Sequence, residues 1–323
     1  MDVRVGLVGT GYVARVRAAA FTEDERSQLV AVSGADTSRA KAFAASYGAK
    51  CVDRWQDLVA SEHIDLVVVA TVSSLHGAVV EAALELGKHV VVEYPLSLDV
   101  AQATRLVTTA QEKELLLHIE HIELLGGLHQ AMRSHLSRIG EVCYARYRTL
   151  TPKRPAPKSW KYHRQQFGFP FCGALSRVNR LTNLLGEVEA VSCSTRITVD
   201  NSDPAYVKSL WSMGWLKFAS GALAELTYAK GEEVWLAARE IEMQGTLGAL
   251  SFVGNEGRLA TDAGSHSISV VPRRGLLAED TAAVLDFLTE GRSLYVSAQE
   301  SLYALRVGDA LRQSSEKGQT VYL

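Results

Sequence analysis

Val3-Arg4-Val5-Gly6-Leu7-Val8-Gly9-Thr10-Gly11-Tyr12-Val13-Ala14 decides how the rest of the chain is read. Its first six residues form an apolar run of the length of a buried strand, and residues 15–21 carry a helical pattern. Between them stands Gly-x-Gly-x-x-Ala. A turn of this spacing between strand and helix accommodates a dinucleotide. Gly9 permits the tight turn, Gly11 lets backbone approach a pyrophosphate, and Ala14 allows the helix to pack closely on the strand. The helix start then offers unpaired N–H groups and the positive end of its dipole to phosphates. With Thr10, Tyr12 and Val13, these residues make up the expected cofactor turn. Glycines between a strand and a helix can also serve packing alone; the correct flanking elements and the terminal Ala favour binding.

Outward from this turn, strand and helix patterns alternate to about residue 119. Strands are read at 29–32, 64–71, 89–92 and 115–119, and helices at 38–47, 55–60, 78–86 and 100–113. Strand runs this apolar, separated by helices, predict a doubly wound parallel sheet covered on both faces. After Leu124 the grammar changes. A helix at 126–138 leads into strands at 141–150, 188–198, 210–218, 222–229, 239–245, 249–253 and 267–271, with helices at 174–185, 279–289 and 298–314. That succession predicts an α+β domain built on a large, mostly antiparallel open sheet. The expected division is 1–122 for the nucleotide domain and 123–323 for the substrate domain, the last helix being free to pack back on the first. Residues 151–168, rich in Pro, Lys and aromatics, read as an exposed loop.

A chain of 323 residues suffices for two cores. The net charge of −2, with no concentrated basic run, argues against a nucleic-acid face. The longest apolar runs, such as 66–72, are too short to cross a bilayer. The first strand starts at Val3, which leaves no room for a signal peptide. Cys51, Cys143, Cys172 and Cys193 lack metal-ligand spacing and read as buried, reduced thiols, so a cytoplasmic protein is expected. His118, Glu120, His121 and Glu123 follow a strand end, but alternation scatters them, a poor arrangement for tetrahedral ligation, and no metal is expected.

The end of the second strand bears on the cofactor. NAD-selective domains usually place an acid there to hold the adenosine 2′-hydroxyl. Here the run is Ser33-Gly34-Ala35-Asp36-Thr37-Ser38-Arg39, with Gly34 at the acid's place. Without that carboxylate a 2′-phosphate is not repelled, and Ser33, Ser38 and Arg39 are placed to bind one. The expectation is NADPH. Asp36 either caps the next helix or turns back toward the ribose.

Gly9-Thr10-Gly11, Ala70-Thr71 with His76, Ala82-Ala83-Leu84-Glu85-Leu86-Gly87-Lys88-His89-Val90 and Glu93-Tyr94-Pro95 together resemble the Gfo/Idh/MocA oxidoreductases. The resemblance implies a Rossmann first domain that binds NAD(P) and a second domain that carries substrate against its sheet. It brings Thr71, His76, Glu93 and Tyr94 toward the cofactor, with capping of a helix from residue 78 as the other reading of His76. The departures are informative. The family's sugar and polyol dehydrogenases usually read Glu-Lys-Pro at this place, and carry a His and an Asp ten and seven residues before a Gly. Counting back from Gly186 gives Ser176 and Asn179. Oxidising a hydroxyl needs a base of near-neutral pKa. Ser and Asn offer none, and an ordinary Tyr titrates at about 10.

One branch of the family fits these departures. Glu93-Tyr94-Pro95-Leu96, His118-Ile119-Glu120-His121-Ile122-Glu123-Leu124-Leu125, Gln165-Gln166-Phe167-Gly168-Phe169-Pro170 and Ala174-Leu175-Ser176-Arg177 are similar to the biliverdin reductases, the bacterial ones above all. That resemblance implies NADPH-dependent reduction of the central methine bridge of biliverdin, with a proton reaching a pyrrole nitrogen. A flat, apolar substrate with two propionates calls for a broad face and arginines. Arg146 and Arg148, on one strand face by period two, are expected substrate residues together with Glu120, Ser176, Arg177, Asn179 and Arg180. Lys230 and Arg274 are further basic candidates. Arg177 and Tyr94 are the expected catalytic residues, and Asp280 the carboxylate expected to pair with Arg177. Two other readings stay open: a relative acting on a sugar or another carbonyl, and an NADP(H)-binding sensor without turnover.

Overall fold

The structure, a computed structural model, describes residues 2–323. Its first part alternates strictly: β1 (Val3–Val8), α1 (Tyr12–Glu23), β2 (Ser27–Ser33), α2 (Thr37–Ser46), β3 (Lys50–Cys51), α3 (Trp55–Val59), β4 (Leu66–Val69), α4 (Ser73–Glu85), β5 (His89–Glu93), α5 (Val100–Glu112) and β6 (Leu117–Glu120). The strands form a parallel sheet in the order β3-β2-β1-β4-β5-β6. Every residue of β4 is buried, as a strand covered on both faces requires.

The second part begins with α6 (Gly127–His135) and β7 (Val142–Pro152), then three helices, α7 (Arg164–Phe167), α8 (Pro170–Gly173) and α9 (Ser176–Leu185). There follow β8 (Val188–Asp200), β9 (Asp203–Phe218), β10 (Leu223–Gly231), β11 (Ala238–Gly245), β12 (Gly248–Val253), β13 (Glu256–Thr261) and β14 (Gly264–Ile268), then α10 (Leu276–Glu290), α11 (Ala298–Lys317) and β15 (Val321–Tyr322). The nine-stranded sheet runs β14-β13-β12-β11-β7-β10-β9-β8-β15 and is antiparallel except where β7 meets β10. The short strands β3, β13 and β15 carry too few apolar residues to be visible beforehand.

The chain divides into two compact units, one extending as far as Ile122 together with Arg274–Leu302, the other Glu123–Arg273 with Tyr303–Leu323. Against the expected 1–122 and 123–323, with the last helix free to pack back on the first, Arg274–Leu302, including α10, groups with the first unit and the chain from Tyr303 onward with the second. The reason is apolar. Val284 and Leu285 of α10 share a core with Ala14, Ala18 and Phe21 of α1 and Val5 and Leu7 of β1. Two further expectations need correction. Residues 151–168 are not simply an exposed loop, because Tyr162 and Phe167 are buried there. Among the cysteines only Cys172 and Cys193 are buried, whereas Cys143 is exposed.

Candidate active site

In the first unit the strand order reverses between β1 and its two neighbours, and the crevice at the carboxyl ends of such strands is where doubly wound sheets bind ligands. Gly9 has φ +129°, and a Cβ there would lie 2.2 Å from the carbonyl oxygen of Ala70, so only glycine fits. Gly11 opens α1 with no side chain capping the helix, and nothing lies within 4 Å of where its Cβ would be. That open cradle fits a pyrophosphate at the helix start. Thr10 follows Gly9; Tyr12 is exposed and Val13 half-buried on the first turn of α1.

At the end of β2, the buried Ser33 accepts the Gly9 N–H at 2.8 Å through its carbonyl. Gly34 packs against Thr10. Asp36 caps α2, accepting from the Arg39 N–H at 3.0 Å and from the Ser38 hydroxyl at 2.7 Å. Arg39 reaches back and donates to the Thr10 carbonyl at 2.9 Å, which leaves its guanidinium on the rim of the turn. Thr71 lies just beyond β4. His76 stands inside α4, which starts at Ser73, so it caps no helix from residue 78; the buried ring bonds the Pro95 carbonyl at 2.8 Å and Thr71 carbonyl at 3.4 Å, tying together the loops after β5 and β4. Burial lowers its pKa.

A buried polar network that the sequence did not announce supports these loops. Arg17 of α1 has no solvent exposure and pairs with Asp280 of α10 at 2.6 Å and with Glu93 at the end of β5 at 3.3 Å. Asp280 also takes His118 Nε2 at 2.7 Å and the Tyr295 hydroxyl at 2.5 Å. Burial alone would raise the Asp280 carboxyl, but Arg17 and His118 outweigh it and hold the group well below the ordinary carboxylate range. This corrects the expected Arg177–Asp280 pair: the oxygens of Asp280 are occupied by Arg17, His118 and Tyr295. Glu120 is buried beside Glu93 in the sheet register and accepts the Ile122 N–H at 2.5 Å. The Tyr94 ring stacks on His121, with centroids 5.3 Å apart and planes 1° apart, and His121 is bonded to the Ser301 hydroxyl at 2.9 Å. The signal for Arg17 was present, since Ala14, Arg17, Ala18 and Phe21 share one helical stripe whose other members are buried.

In the second unit, α9 presents Ser176, Arg177, Asn179 and Arg180. Ser176, Asn179 and Arg180 are buried. The Asn179 Nδ2 makes no hydrogen bond among the described residues. Arg177 donates to the Ser176 hydroxyl at 3.1 Å and its guanidinium lies 4.8 Å from the centre of the Tyr228 ring. Arg180 donates to the Tyr147 hydroxyl at 3.1 Å and the Glu123 carbonyl at 3.2 Å. Lys230, two residues from Tyr228 on β10, is 4% exposed; it donates to the Lys161 carbonyl and sits 3.5 Å from the Phe167 ring centre. Tyr228 was missed, because nothing local marks an aromatic strand residue as a platform for a guanidinium.

Arg146 and Arg148 do not join this group. Tyr147, which meets Arg180, points to the face covered by α9, so its immediate neighbours Arg146 and Arg148 point away. There they pair with Glu242 at 2.8 Å and Glu240 at 3.4 Å, their cross-strand partners on β11. Period two put them together, on the face of the sheet turned away from α9. Arg274, grouped with the first unit, is exposed.

Comparison with known proteins agrees with this architecture. Residues 3–121 match the Gfo/Idh/MocA model for an oxidoreductase-family NAD-binding Rossmann fold, and residues 135–323 match its C-terminal alpha/beta domain. The crystal structure of biliverdin reductase from Synechocystis sp. PCC 6803, in complex with biliverdin and NADP+, is 47% identical with a TM-score of 0.96, covering 98% of this chain and 100% of that one. Biliverdin reductase A of Mus musculus is 31% identical over 43% of this chain, and the match spans only 44% of that relative's length. 1,5-anhydro-D-fructose reductase of Ensifer adhaerens is 26% identical over 76% of this chain and 74% of the relative. No helix among the described residues is long and apolar enough to cross a membrane.

Proposed function

Because the chain belongs to the Gfo/Idh/MocA oxidoreductase family, we propose that it reduces biliverdin to bilirubin with NADPH. The observation that carries the reading is on α9: where an alcohol dehydrogenase of the family needs its base, this chain has Ser176 and Asn179, flanking an arginine held over the ring of Tyr228. Such a site suits reduction of a conjugated anionic substrate rather than deprotonation of a hydroxyl. The likeness to the Synechocystis enzyme supports the same choice.

NADPH, when bound, supplies the hydride for the central methine carbon. The Gly9–Gly11 turn and the start of α1 receive its pyrophosphate, and Arg39, with Ser33 and Ser38 beside it, the 2′-phosphate. Thr71, His76, Glu93 and Tyr94 shape the rest of the cofactor site, Tyr94 being held flat by His121. Ser176, Asn179 and Arg180 are the residues that α9 offers to the substrate. Arg177 orients the proton that a pyrrole nitrogen takes up; because a guanidinium keeps its own proton at neutral pH, the proton comes through a water or a carboxyl that Arg177 holds. In balance, biliverdin, NADPH and one proton give bilirubin and NADP+.

The decisive experiment mixes the protein with NADPH and biliverdin and follows the absorbance change from green to yellow. Catalytic bilirubin formation is expected, and no NADPH formation from glucose or inositol with NADP+. Tight NADPH binding with no turnover of the bilin overturns the reading in favour of a sensor. Steady oxidation of a polyol overturns it in favour of a sugar dehydrogenase.

A further inference from the structure

Three adjacent strands present one row of side chains on the face that carries α9. Arg239 of β11 stands beside Thr149 of β7, and Thr149 beside Tyr228 of β10. The next row in the same direction is Ile241, Tyr147 and Leu226. Tyr228 lies under the Arg177 guanidinium and Tyr147 is bonded to Arg180. Arg239 therefore shares its face with Arg177 and Arg180, one strand-width beyond Thr149. Strand periodicity turns its neighbour Glu240 to the opposite face, where that carboxylate pairs with Arg148. Arg239 itself is exposed, and among the described residues its side chain makes no hydrogen bond and no ion pair. Partial desolvation, with the like charges of Arg273, Arg180 and Arg177, presses its pKa down against an opposing contribution from Tyr147. A guanidinium gathered beside others of its kind, with no carboxylate of the chain turned to it, is stabilised by an anion from outside.

We propose that Arg239, acting with Arg177, is a substrate-binding residue that takes a carboxylate of the substrate. The planar fork of a guanidinium matches a carboxylate bidentately, which fixes orientation as well as affinity. The row from Tyr228 to Arg239 then acts as a ledge, with Tyr228 seating the Arg177 guanidinium at one end and Arg239 cationic at the other for the acid side chain. This assignment rests on the biliverdin reading and adds to it a residue that lies 62 positions beyond α9's Arg177 in the chain.

The test compares Arg239→Gln and Arg239→Lys with the wild type, using biliverdin and its dimethyl ester, and measures Kd by titration, KM, kcat and melting temperature. Loss of a charge-assisted carboxylate contact should raise Kd and KM of the Gln variant for biliverdin about tenfold or more, the loss falling on KM more than on kcat. The dimethyl ester, which has no carboxylate, should bind the wild type and the Gln variant alike, and the Lys variant should recover part of the affinity for the acid. Wild-type KM and Kd in Arg239→Gln overturn the proposal, as does an equal loss for acid and ester or a large fall in melting temperature. A wild-type protein that binds biliverdin with Arg239-dependent affinity but forms no bilirubin overturns the proposed function and leaves this assignment standing.

Discussion

Arg17 and Asp280 meet at 2.6 Å with neither side chain exposed, and so join the helix that begins at the glycine turn to a helix more than 250 residues later. Desolvating two charges is costly, and the pair holds only because His118, Tyr295, Thr281 and Glu93 supply the remaining bonds. Asp280→Asn leaves Arg17 buried against a weaker partner and should destabilise the fold by about 3–5 kcal/mol. The folded-state pKa of Asp280 lies below its ordinary value of 3.8. Its contribution is therefore present above that value and is lost as pH falls below it, so the variant's deficit should shrink in acid. Chemical denaturation at pH 7 and pH 3 checks both points; an unchanged midpoint at pH 7 would contradict the first.

The same pair shows what a sequence discloses. Strand and helix alternation, the glycine turn and the open sheet were legible because they rest on local period and turn chemistry. The stripe Ala14, Arg17, Ala18, Phe21 even hinted that an arginine goes inward. Which carboxylate meets it was not legible, since the partner lies in a distant helix that the first unit's core, through Val284 and Leu285, draws in. Arg146 and Arg148 mark a second limit. Alternation says that two residues share a face, but only packing of α9 on Tyr147 says which face that is. Asp36 marks a third: capping α2 through Arg39 N–H and turning toward a ribose look the same until the helix start is placed.

Cofactor preference follows from that capping. Asp36 is committed to Ser38 and the start of α2, Gly34 carries no acid, and Arg39 lies on the rim at Thr10. NADPH should bind more tightly than NADH by about tenfold or more, each charge-assisted bond to the 2′-phosphate contributing about 1.5–3 kcal/mol. Arg39→Ala should narrow the ratio through weaker NADPH binding, with NADH little affected. Fluorescence titration of both cofactors decides the matter, and equal dissociation constants for the wild type would refute it.

Arg177 should matter to turnover more than to folding. Its guanidinium rests on Tyr228 and Ser176, contacts that position it without burying it fully. Arg177→Ala should lower bilirubin formation by about a hundredfold or more, the usual worth of a positioned proton-transfer group. Arg177→Lys separates two roles: lower kcat with retained binding means proton delivery, and a higher Kd means anchoring. Near-wild-type turnover of the Ala variant would remove Arg177 from the chemistry, whereas a large loss of melting temperature would make it structural.

Lys230 should give the fold a pH dependence that a neutral side chain lacks. Its ammonium sits among Phe167, Tyr162 and Tyr228, with a backbone carbonyl of Lys161 rather than a carboxylate as its partner. Burial, with Lys161 and Arg177 nearby, lowers its pKa from 10.5 to about 7. Between those two values the unfolded chain binds a proton that the folded chain does not, so stability rises with pH across that window. Below it the group is charged in both states and the full cost of burying the charge is felt. Lys230→Met keeps an unbranched side chain of similar length and removes the charge. The variant should therefore melt higher than the wild type at pH 6, and its advantage should shrink toward pH 10, because giving up the proton that only the unfolded chain holds costs less as pH rises. Melting curves of the two proteins over that range test the sign directly. A Met variant that is less stable at pH 6 would mean that the bond to the Lys161 carbonyl outweighs the cost of the buried charge.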